Sequence, residues 1–346
     1  MDKLAYFKND LYQEALNTQQ IEDKIGNIKE PSLFYINEEI KFGDISKYEV
    51  NAKVGRGRYS EVYSGLNKNT NTKVIIKILK PININKIKRE VVILKYLKDC
   101  PNSVRLLDIT KSYETDIHCL IYNNISGYDL KLFSINITPE DLKLYIYKIL
   151  KCLKFCHSKK IMHRDIKSGN IVVNSITKEL NVIDWGLSEY YIENYRYGTR
   201  VGTRYYKSPE LLLDYRKYDF SIDLWAVGCI FGAILFRKDF LFKGEDTNDQ
   251  IVKVAEIFGF EEFEKYLNKY QKDVKINQKA LEKIKNFQKK KWDYFINSKN
   301  KYLISDEALD LLDKLLKFDQ EERIKAEDAL KHPYFKSVIN EERENV

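Results

Sequence analysis

The sequence changes its period near Gly127. From Tyr48 up to that point, short β-branched runs follow one another: "YEVNAKVG", "SEVYSGL", "KVIIKIL" and "IHCLIY", separated by turns such as "NKNTNT". Such runs read as strands, and one helical stretch, "INKIKREVVILKYLK", interrupts them. Beyond Gly127 the texture is helical. "ITPEDLKLYIYKILKCLKFCHSKK" opens with Thr138 as N-cap, Pro139 in the first turn, and Glu140 and Asp141 where the helix dipole favours acids. The uncharged stretch from Leu224 to Phe236 and the amphipathic "SDEALDLLDKLLKF" belong to the same half. The expected fold class is therefore α+β and bilobal: a small β-rich lobe over residues 46–125 and a larger α-helical lobe over 126–338. The hinge falls near Asn123–Gly127, and the cleft between the lobes is the natural place for a ligand. Residues 1–45 form an extension expected to pack on this domain. It has a helix-like start (Leu4, Phe7, Leu11, Ala15), then Pro31, Phe34, Tyr35 and Phe42, while residues 339–346 read as a short polar tail.

Composition excludes several classes. With 346 residues, 44% hydrophobic, the chain can bury a sizeable core, and its many Tyr and Phe against few Pro and Gly are wrong for disorder. The apolar run at 224–236 is too short to span a bilayer and suits a buried helix. Five cysteines without CxxC spacing, and an opening "MDKLAYFKND" without a secretory pattern, point to a reducing compartment. Cys152, Cys156 and His157 sit close together on one helix, where an i,i+4 cysteine pair reads as core rather than as a metal site. The net charge of +8 favours phosphorylated or polyanionic partners, and "QKKKW" reads as a solvated loop.

Four stretches carry chemistry. In "KVGRGRYSEVY" (residues 53–63), Gly55 and Gly57 lie between two strands, either as an ordinary hairpin or as a tip folded over a phosphate. In "VIIKIL", Lys77 shares a strand face with Ile75 and Leu79 and so requires a partner; Glu90, on the apolar stripe of Ile87, Val91 and Leu94, has the matching need. A plain buried ion pair would satisfy both. In "IMHRDIKSGNIVV" (161–173), a loop dense in polar groups is bracketed by apolar runs, which packing alone does not explain. Asp184, at the end of the strand-like "LNVI" and followed by Trp185 and Gly186, is either a turn former or a metal ligand, with Gly186 for backbone freedom.

Gly55-x-Gly57, Lys77, Glu90, His163-Arg164-Asp165, Asn170, Asp184-Trp185-Gly186 and Ser208-Pro209-Glu210 match in order and spacing the signature set of eukaryotic protein kinases, with "DLWAVG" and Arg323 as later bracing elements. Lys167, two residues past Asp165, follows the serine/threonine pattern. Trp185 with "GRGRYSEVY", "IKRE", "MHRD", "FRKDFLFKGEDTNDQ" and "HPYF" resembles the catalytic alpha subunit of casein kinase II.

That resemblance implies a bilobal protein-kinase-like fold and transfer of the ATP γ-phosphate, with GTP as an alternative donor, to Ser/Thr in acidic contexts. Asp165 would orient the acceptor hydroxyl, Lys77 aligned by Glu90 would hold the α/β-phosphates, and Lys167 would neutralise the γ-phosphate. Asn170 and Asp184 would hold Mg²⁺, with Asp184 posed by the Trp185 indole N–H. The hairpin residues Val54, Gly55, Arg56, Gly57, Arg58, Tyr59 and Ser60 would cover the nucleotide. Adenine would lie between Val54, Val62 and Ile75 above and Val172 and Ile183 below, its edge on hinge backbone near Tyr122, Asn123 and Ile125. Arg200, Arg204 and Lys207 on the loop, and Lys86, Lys88 and Arg89, would read the acidic substrate. The lysine run preceding "IKRE" in that family is "ININK" here, so selection for distant acids is expected to be weaker.

Many kinases order the loop from Asp184 to Glu210 by phosphorylation, and Thr199, Thr203, Tyr195 and Tyr197 on it are acceptors that could pair with Arg164. The resemblance implies instead constitutive activity, the loop braced by Phe34, Tyr35 and Phe42. It further implies acidic protein substrates, a regulatory beta subunit on the small lobe, and a place in cytoplasm and nucleus, without membrane or direct nucleic-acid contact. A nucleotide-binding scaffold would have lost Lys77, Asp165 or Asp184, and cyclin-dependent or mitogen-activated kinases share "FKGEDTNDQ" but not Trp185.

Overall fold

Strands β1 (Gly43–Asp44), β2 (Tyr48–Arg56), β3 (Ser60–Asn67), β4 (Thr72–Leu79), β5 (Leu106–Lys111) and β6 (His118–Asn123) form one six-stranded sheet in the order β1-β5-β6-β4-β3-β2. All pairings are antiparallel except β1 with β5. This computed structural model describes residues 29–112 and 114–344, so the helix-like start at Leu4, Phe7, Leu11 and Ala15 lies outside the described residues. Strand alternation divides the sheet as the sequence requires. Val74, Ile76, Cys119 and Ile121 cluster on one face, while Leu79, Leu106, Ile109 and Leu120 join the main core with helix α1 (Ile84–Tyr96), which buries Ile87, Val91 and Leu94.

The larger lobe is built on helices α2 (Pro139–Ser158), α3 (Ser221–Leu235), α4 (Thr247–Tyr270) and α5 (Asp306–Leu315). Thr138 Oγ1 accepts the Asp141 N–H at 3.1 Å, so the cap stands where the sequence places it. Helix α3 is buried from Ile222 to Leu235 and carries one charge, Asp223. Cys152 and Cys156 lie on α2 within the core, and all five cysteines are free and buried. Among the described residues no helix is long and apolar enough to cross a membrane.

Two small sheets sit at the lobe junction. β7 (Tyr128–Asp129), β9 (Ile171–Val173) and β10 (Leu180–Val182) form one; β8 (Ile161–Met162) and β11 (Glu189–Tyr190) form the other. They fix the ends of two loops, one carrying His163 to Asn170 and the other Asp184 to Gly186.

Both chain ends differ from expectation in detail. Phe34 stacks on Tyr190 of β11 (centroids 4.2 Å apart) and Tyr35 is buried, but Phe42 lies against His118 in β6, 5.2 Å away, and not on the loop. The expected polar tail is helical through Glu344: the helix Lys336–Glu344 buries Val338, and its Glu342 accepts from Lys151 Nζ at 2.8 Å and from Tyr147 Oη at 3.3 Å. Val338 precedes the polar segment, whose helical part is tied to α2 by the two hydrogen bonds to Glu342.

Candidate active site

The loop between β8 and β9 is held by its backbone. The His163 and Arg164 N–H groups donate to the two Asp223 oxygens at 2.8 and 2.9 Å, and His157 Nε2 lies 3.0 Å from the same carboxylate. Burial acts to raise the pKa of Asp223, but hydrogen bonds from His157 and the loop amide outweigh it and keep it below the usual carboxylate range. His163 is buried, which lowers its pKa and keeps the ring neutral. Its Nε2 meets Ile183 O at 3.2 Å while Nδ1 accepts the Asp165 N–H at 3.2 Å. That single imidazole thus ties the Asp165 loop to the strand leading to Asp184.

Asp165 sits at the centre of a polar knot. Its Oδ1 accepts from the Thr203 N–H (2.8 Å) and hydroxyl (2.9 Å), and its Oδ2 from Lys167 Nζ (2.8 Å) and Asn170 Nδ2 (3.2 Å). Lys167 also reaches Thr203 Oγ1 at 3.2 Å. Sequence reasoning named Thr203 only as a modification site and missed this role. The available signal was the preceding glycine: Gly202 has φ +72°, and a Cβ there would lie 2.7 Å from Arg164 O. Only glycine lets the chain turn closely enough to bring Thr203 onto Asp165.

Lys77 and Glu90 meet at 2.7 Å, as their matching needs demand, and Lys77 also reaches Asp184 Oδ1 at 3.0 Å. Burial works to depress the lysine pKa, but the two carboxylates outweigh it, so Lys77 stays charged; Lys77 in turn holds Asp184 below the usual carboxylate range. The Tyr122 hydroxyl donates to Glu90 Oε1 at 3.0 Å. Its side chain therefore braces the ion pair from the core, and only its backbone remains at the hinge. Asn123 accepts the Arg105 N–H through Oδ1 at 2.8 Å. Val62, Ile75, Ile125, Val172 and Ile183 are half-buried, and Val54 is exposed. At the hairpin tip the Gly57 N–H donates to Ser60 O at 2.9 Å. Arg56 and Arg58 are exposed, and Ser60 is buried beneath Gly57, where a Cβ would meet its Oγ at 3.1 Å. Gly55 lies opposite Val62, and Tyr59 is flanked by Arg58 and Lys86, each 5.1 Å from its ring.

Two expectations at the Asp-Trp-Gly turn are corrected. Asp184, not Gly186, takes the left-handed backbone, with φ 62° and ψ 72°. At 186 the matter is space: a Cβ would stand 3.2 Å from Glu90 Oε2, a tight contact that would push on the carboxylate paired with Lys77. The Trp185 indole fills a fully buried pocket edge-on to His163 (4.6 Å), but its Nε1 has no hydrogen-bond partner among the described residues. Lys77, not the indole, poses Asp184.

The donor set suits a hard cation. Asp184 presents a half-exposed carboxylate, and the Asn170 amide nitrogen is spent on Asp165, leaving its oxygen free of donors among the described residues. Two oxygens on the loops after β8 and β10 match the habit of Mg²⁺, which takes few protein ligands and completes its shell with phosphates and water. A family model described as "Protein kinase domain" matches residues 48–335. The chain belongs to the protein kinase family. Kinase chemistry implies ATP and a divalent metal, typically Mg²⁺, which when bound offsets phosphate charge. Within this kinase, Asn170 and Asp184 would hold the metal, Lys77 the phosphates, and Asp165 would face the acceptor.

The six cations named for substrate divide. Arg89 is internal: it donates to Glu189 Oε2 at 3.0 Å and to Gly186 O at 2.9 Å, and so cannot read substrate. Lys88 donates to Ile36 O at 2.9 Å and anchors the N-terminal extension. Lys86 is exposed over Tyr59, and Arg200 is exposed on the loop. Arg204 is half-buried, reaching Gly244 O at 3.4 Å, and Lys207 donates to Thr199 O at 3.1 Å, with burial lowering its pKa.

Proposed function

We propose that this kinase is a serine/threonine kinase of the casein kinase II type, constitutively active and directed to acceptors followed by acidic residues. The observation that carries the transfer reading is the Asp165 knot, in which Lys167 bridges the catalytic carboxylate and Thr203. Arg200, Arg204 and Lys207 support the acidic preference, weakened because Lys88 and Arg89 are used internally. Phosphate transfer to a serine peptide with acidic residues after the acceptor, compared with one carrying basic residues before it, tests this. The acidic peptide is expected to be preferred, with the preference shrinking as salt rises. Preference for the basic peptide, or Mg-ATP binding without transfer to any peptide, would overturn it. GTP competing with ATP, a beta subunit on the small-lobe sheet, and residence in cytoplasm and nucleus belong to the same reading.

Constitutive activity is supported by Glu189. This buried carboxylate accepts from Arg89 and lies 3.6 Å from Arg164 Nη2, where a loop phosphate would otherwise bind. The Tyr197 hydroxyl adds a further tie, donating to Tyr190 O at 2.9 Å and accepting the Ile192 N–H at 2.7 Å. Glu189→Gln keeps the shape and removes the charge. It is expected to lower kcat/KM by roughly tenfold to 100-fold, since a charge-assisted hydrogen bond contributes about 1.5–3 kcal/mol. Steady-state assays of unphosphorylated protein check this; full activity of the variant would remove Glu189 from the explanation.

A further inference from the structure

The loop carrying Asp165 and the segment after Gly202 touch at two points, three residues apart on each (165 and 168, 203 and 206). At the first, Asp165 Oδ1 accepts from the Thr203 N–H and hydroxyl. At the second, Ser168 Oγ and Tyr206 Oη share a hydrogen bond of 2.9 Å. Each segment makes one tight turn there. In the 3₁₀ turn Arg204–Tyr206 the Tyr206 N–H donates to Thr203 O at 3.0 Å, which fixes where the phenol starts. In the 3₁₀ turn Ser168–Asn170 the Asn170 N–H donates to Lys167 O at 2.9 Å and the Ile171 N–H donates to Ser168 O. So short a turn has few hydrogen bonds of its own, and its position depends on what it is tied to. Its far end is tied, because the Asn170 amide donates to Asp165 O at 2.9 Å. Its near end is open: Ser168 is half-buried, Gly169 is exposed, and a Cβ built on Gly169 would meet nothing within 4 Å. Tyr206 supplies the tie at that end. It is buried, with its ring edge-on to Phe240 at 6.1 Å between centroids, so the hydroxyl is presented from a fixed ring.

We propose that Ser168 and Tyr206 are a positioning pair, whose hydrogen bond sets where the turn carrying Asn170 stands relative to Asp165. The pair thereby couples the register of the segment after Gly202 to the geometry of phosphate transfer. Lys167 lies between the two contacts, with Nζ 2.8 Å from Asp165 Oδ2 and 3.2 Å from Thr203 Oγ1, so a slip at Ser168 is passed directly to the residue bridging them. The inference rests on the kinase chemistry of Asp165 and is independent of the preference for acidic acceptors. Because Lys77 and the residues expected around adenine are untouched, the pair acts on turnover and not on nucleotide affinity.

The test uses the full chain as Tyr206→Phe, Ser168→Ala, the double variant and Ser168→Thr. Tyr206→Phe keeps the ring beside Phe240 and removes the hydroxyl alone. In each of the first two variants kcat for the acidic serine peptide is expected to fall about twofold to tenfold, the worth of one neutral hydrogen bond, with KM for Mg-ATP unchanged. The double variant is expected to match the singles, since both remove the same interaction, and Ser168→Thr to recover most of what Ser168→Ala loses. A second readout needs no substrate. Hydrogen exchange at the Asn170 and Ile171 amides, which close the turn, is expected to be faster in each single variant and no faster again in the double. A peptide left unlabelled by the wild type would count against the acidic-acceptor reading, while exchange would still decide the pair. Losses that multiply in the double variant, or unaltered exchange in Tyr206→Phe, would overturn the proposal. So would a raised KM for Mg-ATP at unchanged kcat, which would assign the pair to the nucleotide pocket instead.

Discussion

Asp165→Asn is expected to lower kcat for peptide phosphorylation by about 10²–10⁴-fold while leaving Mg-ATP affinity essentially unchanged. The asparagine oxygen can still accept from Thr203, the partner of Oδ1. Its NH₂, however, then faces Lys167 Nζ and Asn170 Nδ2, both of which donate to Oδ2. Two donors meet a third, and the base that would take or orient the acceptor proton is gone. Nucleotide affinity should persist, because Lys77 and its partners are untouched. Steady-state kcat beside nucleotide binding by calorimetry checks the split. A variant keeping about a tenth or more of wild-type kcat would show that Asp165 is not the base.

Arg323→Ala should produce the largest loss of stability. Arg323 and Glu210 are both fully buried, with Nη1–Oε1 at 2.8 Å and Nη2–Oε2 at 3.1 Å; Nη1 also donates to Ser221 O at 2.8 Å. Net worth relative to an apolar pair is not at issue. Removing one partner leaves a carboxylate buried without compensation, which costs about 3–5 kcal/mol. At about 2–4 °C per kcal/mol, Tm should fall by roughly 6–20 °C. Glu210→Leu with Arg323→Met should recover much of that loss, since both buried charges leave together. Thermal denaturation of the single and double variants distinguishes a required ion pair from simple loss of packing, which the double variant would not repair.

Much of the architecture was legible because it is local. Strand alternation predicted which β4 residues face the core, and the Thr138-Pro139 start predicted the head of α2. The Lys77–Glu90 pair was readable despite lying on two elements, because each residue alone poses a burial problem that the other solves. β1 was missed: two residues pairing with β5 carry no periodic signal. The indole of Trp185 was misassigned because residue type advertises a donor without showing whether an acceptor lies in reach.

The sequence by itself determined the fold class, the order of the kinase motifs and the burial of α3, since these follow from apolar period, caps and spacing along one chain. Only the tertiary structure decided how the charges are spent. Arg89 meets Glu189 across 100 residues and Arg323 meets Glu210 across 113, and the Asp223 oxygens hold loop amides some 60 residues away. A cation at a helix surface has the same sequence appearance whether its partner is a substrate, a buried glutamate or a carbonyl. Which of these it meets depends on how distant elements dock, and that docking is set by the packing of the whole core.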